Sequence, residues 1–183
     1  VALLEAMKSY PINKFVFTST CSNYGIFEGD QLAREDSPLS PLSVYAETKV
    51  GVERFIAGLR GNVEFSPTIL RLATAFGIGT RTRFDLTVNH FVKDMTLGIP
   101  LVVYDQSTWR PYCHIEDICQ AIQRVLEYPK ELVEFEVFNV GSNSMNHSKE
   151  QIVEIVRHSV PNADVDYQSG GIDTRDYQVD FAK

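Results

Sequence analysis

Short apolar runs alternate with longer stretches of helical period along this 183-residue chain, and no other feature limits its fold as much. Residues 14–19 form one such run and read as a buried strand. A loop with Gly25, Gly29, Pro38 and Pro41 follows. Ser43 is placed to cap a helix over residues 44–59, with Gly61 just past its end. Residues 68–73 read as a second strand, and Gly77 and Gly79 punctuate the next loop. Asp85 is expected to cap a helix running to Leu97, which Gly98 and Pro100 stop. Residues 101–104 read as a third strand. Ile115, Ile118, Ala121, Ile122, Val125 and Leu126 recur at helical spacing. Residues 137–140 read as a strand ended by Gly141. Ser148 and Gln151 have the spacing of a capping box, for a helix that reaches about His158. Residues 164–167 suggest a last short strand. Strands alternating with helices of about 10–15 residues predict an α/β fold with a largely parallel sheet.

Composition narrows the function classes. The chain is 44% hydrophobic and 22% charged, with a formal net charge of -7 and no block of Lys or Arg. Nucleic acid is therefore not an expected partner, because phosphate-backbone binding rests on clustered cations. A small anionic ligand is compatible, since a few Arg residues suffice for it. No apolar run approaches the ~18–20 residues of a membrane span. Cys21, Cys113 and Cys119 are too widely spaced for a metal knuckle and odd in number for a disulfide framework, so a reducing cytoplasm is the expected compartment. His90, His114, His147 and His158 are scattered without metal-ligand spacing, and no metal is expected. Residues 1–8 read as the end of an amphipathic helix already under way, so the natural chain is expected to begin upstream.

Two Tyr-x-x-x-Lys pairs occur. Tyr10 and Lys14 are separated by Pro11, and Lys14 opens a strand, so they share no helical face. Tyr45 and Lys49 lie early in a helix at i and i+4, which puts both on one face. A tyrosine with the ordinary phenol pKa of ~10 is a poor base at neutral pH. A neighbouring ammonium favours the phenolate, which can then take a hydroxyl proton. Thr20, just after the first strand, is the candidate hydroxyl to hold the substrate oxygen beside it. With eight tyrosines in the chain, such a pair alone carries little weight.

The surrounding motifs add that weight. Phe15-Val16-Phe17-Thr18-Ser19-Thr20-Cys21-Ser22-Asn23-Tyr24-Gly25 resembles the strand and catalytic-hydroxyl segment of extended short-chain dehydrogenases/reductases that modify nucleotide sugars. Pro38-Leu39-Ser40-Pro41-Leu42-Ser43-Val44-Tyr45-Ala46-Glu47-Thr48-Lys49 resembles the family's approach to its Tyr/Lys helix. Arg71 to Gly77, Trp109 to Asp117 and Val137 to Gly141 are similar to later family segments, in the family's order.

The resemblance implies a partial Rossmann-type doubly wound parallel sheet plus a small α/β substrate-binding region. The first part, residues 1–80, would be the C-terminal part of the NAD-binding domain. Residues 81–183 would be mostly substrate-binding, with returning Rossmann elements. It implies Thr20, Tyr45 and Lys49 as catalytic residues, with Tyr45, Lys49 and Leu72 toward NAD. Cys21, Thr74, Asn89, Arg110 and Arg175 would line the site of a nucleoside-diphosphate sugar, the two arginines gripping the diphosphate. A homodimer through the first helix and the Tyr45 helix is also implied.

Two departures shape the functional expectation. No Gly-x-x-Gly-x-x-Gly loop is present, so this stretch alone is expected to bind NAD weakly or not at all and to be inactive by itself; NADP remains open. The dehydratases of the family place Asp and Glu where Cys21 and Ser22 stand, and a thiol and a hydroxyl are poor substitutes for them. Epimerisation through transient C4 oxidation is therefore expected ahead of dehydration. A 4-keto-sugar reductase or synthase, and a non-catalytic sugar-nucleotide-binding or dimerising module, are the alternatives. A small residue shaping the pocket accounts for Cys21 more simply than a base does. A solvated loop accounts for Arg81 and Arg83 as well as an anion site does. Packing is the simpler reading of Trp109.

Overall fold

A computed structural model of the chain describes residues 2–27, 31–171 and 175–183. Val1 and Gly29, which the sequence reading used, lie outside them.

The first layer is a parallel sheet of β1 (Lys14–Thr20), β3 (Ser66–Leu72) and β7 (Val137–Val140), in the order β1-β3-β7. The crossover from β1 to β3 carries helix α2 (Val44–Ala57). Alternation along β3 explains the layering: Ile69 packs with Leu4, Met7, Ile56 and Phe65, from α1 (Ala2–Met7), α2 and the turn after it. Leu70 packs with Ile118 and Val125 of α4 (Ile115–Glu127) on the opposite face. Successive strand residues point to opposite faces, so an unbroken apolar run is what a strand covered on both sides requires.

The second layer is built on β6 (Trp109–His114), which pairs in parallel with β4 (Thr74–Phe76) and antiparallel with β8 (Asn146–Ser148). Beside it, β5 (Leu101–Tyr104) and β9 (Val165–Gln168) form a parallel pair. Phe91 and Met95 of α3 (Thr87–Thr96) and Ile152 and Val153 of α6 (Lys149–Arg157) pack with Leu101, Val103 and Tyr112 to make its core. The layers interleave along the sequence: β4 already belongs to the second, while α4, the short helix α5 (Lys130–Val133) and β7 return to the first. Between them, β2 (Leu32–Ala33) pairs with β10 (Gln178–Val179), and a bridge joins Ile26 to Asp176.

Local chemistry sets the helix starts. Ser43 caps α2 by accepting from the Ala46 N–H, and Ser148 and Gln151 form a reciprocal capping box on α6. Lys14 gathers the carbonyls of Val125, Leu126 and Tyr128 at the end of α4, which gives the lysine of the discounted Tyr10/Lys14 pair a structural task.

Two expectations are corrected and one strand is added. Asp85 does not cap α3: Leu86 holds the cap position without a side-chain bond, and the Asp85 carboxylate is forked by Arg83 Nε at 2.7 Å and Nη2 at 2.5 Å. The Tyr45 helix ends at Ala57 with Gly58 as its cap, and Gly61 occupies a later turn at φ 79°. Residues 109–114 are a strand, hidden in the sequence by Pro111 and by the polar mixture. Pro111 is tolerated because it pairs only with Asn146 of β8, whereas the pairing with β4 begins at Tyr112.

Candidate active site

The site begins at the C-terminal ends of β1 and β3. Thr20, Leu72 and Val140 lie side by side in register. Beyond Thr20 the chain turns through a short 3-10 segment, Cys21–Tyr24, capped by the Thr20 hydroxyl, which accepts from the Ser22 N–H at 3.1 Å. Gly25 closes that turn at φ 77°, and a Cβ there would lie 2.0 Å from the Ser40 carbonyl oxygen. The proline-rich approach to α2 therefore passes directly over the turn, and Ser40 N–H donates back to the Asn23 carbonyl.

Tyr45 and Lys49 occupy the first turns of α2. Tyr45 is 55% exposed, so its phenol is accessible to a ligand. The Lys49 ammonium donates to the Thr18 carbonyl at 2.6 Å and lies 5.6 Å from the centre of the Tyr45 ring and 4.9 Å from that of Phe17. Partial burial lowers the Lys49 pKa from its ordinary value. The lysine thus fastens the Tyr45 face of α2 to the strand end that bears Thr20.

Glu53, one turn beyond Lys49, centres a buried network that the sequence reading missed. Its carboxylate accepts from the Ser19 hydroxyl, from Asn23 Nδ2 at 2.8 Å, and from Arg71 Nη2 at 2.8 Å. Arg71 also donates to the Tyr24 hydroxyl at 2.9 Å and to the Glu35 carbonyl at 3.0 Å. The Tyr24 hydroxyl in turn donates to Asn139 of β7 at 2.7 Å. Burial opposes the Arg71 charge, but the hydrogen bonds and charge of Glu53 outweigh it and hold the guanidinium above its ordinary range. Burial pushes the Tyr24 phenol up, against the pull of Arg71. One signal was available: Arg71 interrupts an apolar strand, and Glu53 continues the Tyr45/Lys49 face at four-residue steps.

The remaining candidates are placed unevenly. Cys21 is fully buried, donates to the Arg71 carbonyl at 3.2 Å, and burial drives its thiol pKa far up. It is packed in the interior, where burial disfavours the thiolate a base would need. Arg175 Nη1 donates to the Ser22 hydroxyl at 2.9 Å, and that hydroxyl lies 3.3 Å from the Tyr177 hydroxyl. Arg110, buried on β6, stacks its guanidinium 5.2 Å from the Tyr177 ring centre. Arg110 and Arg175 thus converge on Tyr177, beside the turn that follows Thr20. Thr74 is half-buried on β4. Asn89 is committed to the backbone: it accepts from Gly77 N–H at 3.0 Å and donates to the carbonyls of Gly77 and Arg83. It shapes the loop before α3.

Two clefts flank these groups. The larger, about 720 Å³, runs between α4 and β7 past Tyr112, His114, Arg124 and Asn139, and none of Thr20, Tyr45 and Lys49 lines it. The other, about 570 Å³, is lined by His90, Phe91, Val102, Tyr104 and Lys149. Neither cleft contains the Tyr45/Lys49 face, which instead meets the strand end that bears Thr20 through the Lys49 bond to the Thr18 carbonyl. Among the described residues, no group of three His, Cys, Asp or Glu side chains could hold a metal ion, and no helix is long and apolar enough to cross a membrane.

Comparison with known proteins places the chain in a family. The model of the NAD dependent epimerase/dehydratase family matches residues 1–141, and the chain belongs to that family. Its members use NAD, as the family's name states. A UDP-glucose 4-epimerase of Corynebacterium glutamicum is 30% identical over 179 residues, covering 88% of this chain and 53% of the relative. The UDP-glucuronic acid 4-epimerase of Bacillus cereus, solved with UDP-glucuronic acid and NAD, superposes with a TM-score of 0.86 at 28% identity, covering 98% of this chain and 56% of that one. The dTDP-glucose 4,6-dehydratase of Bacillus anthracis, solved with NAD, gives a TM-score of 0.83 at 25% identity, covering 98% and 56%. The chain therefore spans about half the length of the relatives it matches.

Proposed function

We propose that this chain carries the catalytic tyrosine of an NAD-dependent 4-epimerase acting on a nucleoside-diphosphate sugar. The observation that carries the reading is the Lys49 ammonium bonded to the Thr18 carbonyl, which pins Tyr45 and Lys49 against the strand end that presents Thr20. Thr20 would hold the sugar C4 oxygen, and Tyr45 would take its proton and later return it.

The residues present fit the nicotinamide end of NAD. The parallel strands end together at Thr20, Leu72 and Val140, and Lys49 and an exposed Tyr45 stand beside them. A cofactor bound there would supply the hydride acceptor and donor for C4. Tyr45 and Lys49 would bind its ribose and Leu72 would lie against the ring.

Cys21 and Ser22 favour epimerisation over dehydration, since neither offers the carboxyl pair that water loss needs. Arg110 and Arg175 supply cations toward the substrate, and Thr74 and the loop held by Asn89 would border it. A homodimer through α1 and α2 belongs to the same reading, supported by Leu3 at 65% and Val44 at 76% exposure. A reducing cytoplasm is consistent with three free cysteines.

The test is incubation of the natural protein with NAD and UDP-sugars in deuterated water. The reading predicts inversion at C4 with no solvent deuterium incorporated and no net cofactor reduced. Deuterium entering C5 with loss of water from C5 and C6 would make the protein a dehydratase instead.

A further inference from the structure

We propose that Glu53 is a positioning residue for the reaction: through Ser19 and Asn23 it sets where the Thr20 hydroxyl stands relative to Tyr45. The inference rests on the reading of Thr20 and Tyr45 given above and adds the group that aligns them. Glu53 lies on α2 and continues the face of Tyr45 and Lys49. It is buried, so whatever it contributes passes through the groups it bonds. Those groups flank the turn that carries Thr20. Glu53 Oε1 accepts from the hydroxyl of Ser19, just before Thr20, and from Asn23 Nδ2 at 2.8 Å, on the far side of the turn. Asn23 Nδ2 also donates to the Ser19 hydroxyl at 3.1 Å, which ties the two ends together. Between them, the Ser22 N–H donates to the Thr20 hydroxyl at 3.1 Å. That bond occupies a lone pair of the Thr20 hydroxyl and leaves its proton to donate to a substrate oxygen. The contacts therefore run from the Tyr45 helix through Glu53 to both ends of the turn, and from the turn to the direction of the Thr20 hydroxyl.

Arg71 keeps the carboxylate in place. Its Nη2 donates to Glu53 Oε2 at 2.8 Å, and its Nε lies 3.2 Å from each carboxylate oxygen. Arg71 stands opposite Ser19 in the register of β1 with β3, and Cys21, inside the turn, donates its thiol to the Arg71 carbonyl at 3.2 Å. Ser19, Asn23, Glu53 and Arg71 are all buried. Away from water, hydrogen bonds to a charged group are strong and hold their geometry. Lys49 bonds the strand ahead of Thr20, at the Thr18 carbonyl, and Glu53 bonds the turn itself. Alignment of this kind matters for proton transfer, which works only within hydrogen-bond reach, and a displacement of about 1 Å costs on the order of 10²-fold in rate.

The test uses the natural protein with NAD and UDP-glucose. The double variant Ser19→Ala/Asn23→Ala removes both bonds from Glu53 to the turn and leaves the Glu53/Arg71 pair whole. Its kcat, counted per site by calorimetric titration with UDP, is expected to fall roughly 10²-fold, while KM and the affinity for UDP stay unchanged. Ser19→Ala alone, the milder change, should show part of that fall. Hydrogen exchange at the Ser22 amide should quicken in the double variant while the β3 amides keep their protection. Unchanged kcat per site would overturn the inference, and so would a Ser22 amide that stays as protected as before. A loss of turnover matched by loss of binding sites would also overturn it, because the network would then serve stability alone. An unaltered protein that neither binds nor inverts the nucleotide sugar would overturn the epimerase reading itself, and this inference with it.

Discussion

The two sides of the candidate site are built differently. On the side of Tyr45, a buried ion pair and its hydrogen-bonded neighbours lock α2, β1, β3 and the turn after Thr20 to one another: Glu53 is 5% exposed and Arg71 4%. On the side of Arg175, a half-buried guanidinium donates to the buried Ser22 hydroxyl across 153 positions of the chain. A base must be held in one geometry to be useful, whereas a substrate-reading residue can close on its ligand. On the proposed reading, the buried Glu53/Arg71 pair would hold the Tyr45 side in one geometry.

The largest expected effect comes from breaking the rigid side. Glu53→Ala leaves the Arg71 guanidinium buried without its carboxylate and should cost about 3–5 kcal/mol of stability, measured by urea unfolding. Arg71→Ala should cost a similar amount. If either is neutral, the network is not what fixes this side. Gly25→Ala should come next, at about 1–3 kcal/mol for the left-handed backbone alone, with more from the approach to the Ser40 carbonyl. Removing the α4 cap with Lys14→Met should cost about 0.5–1.5 kcal/mol.

Alkaline pH sharpens the same contrast. Burial raises the pKa of Cys21, of Tyr24 beside Arg71, of Cys113 to about 11, and of Tyr177 to about 12. In the unfolded chain these groups ionise at their lower, ordinary values. The folded state then holds more protons than the unfolded one, so stability falls as pH rises. The decline should begin near the ordinary thiol pKa of ~8.5 and continue through the phenol range. A stability curve flat from pH 8 to 11 would contradict the burial of these groups. The smallest effect is chemical: exposed Cys119 should react with a thiol reagent at once, and Cys21 and Cys113 only on unfolding.

How much of this the sequence showed depends on how local each interaction is. Ser43 and Ser148 were legible because a cap bonds within three residues of itself. Asp85 has the same side-chain chemistry, but Arg83 two residues away takes its carboxylate, and composition does not reveal which partner wins. Tyr45 and Lys49 were visible because helical spacing puts them together. The pairing of Glu53 with Arg71 spans 18 residues and that of Ser22 with Arg175 spans 153, so both depend on the topology that brings the strand ends together. Arg175 was picked out as a cation for the substrate's diphosphate, and only the fold shows that it bonds to Ser22, two residues past Thr20.

The most direct test of the central claim is turnover of the natural protein with Tyr45→Phe, supplied with NAD and read as inversion at the sugar C4. Loss of the phenol should lower kcat by about 10²–10⁴-fold while binding of the nucleotide sugar persists. Unchanged turnover would mean that Tyr45 is not the base and that the chemistry lies elsewhere.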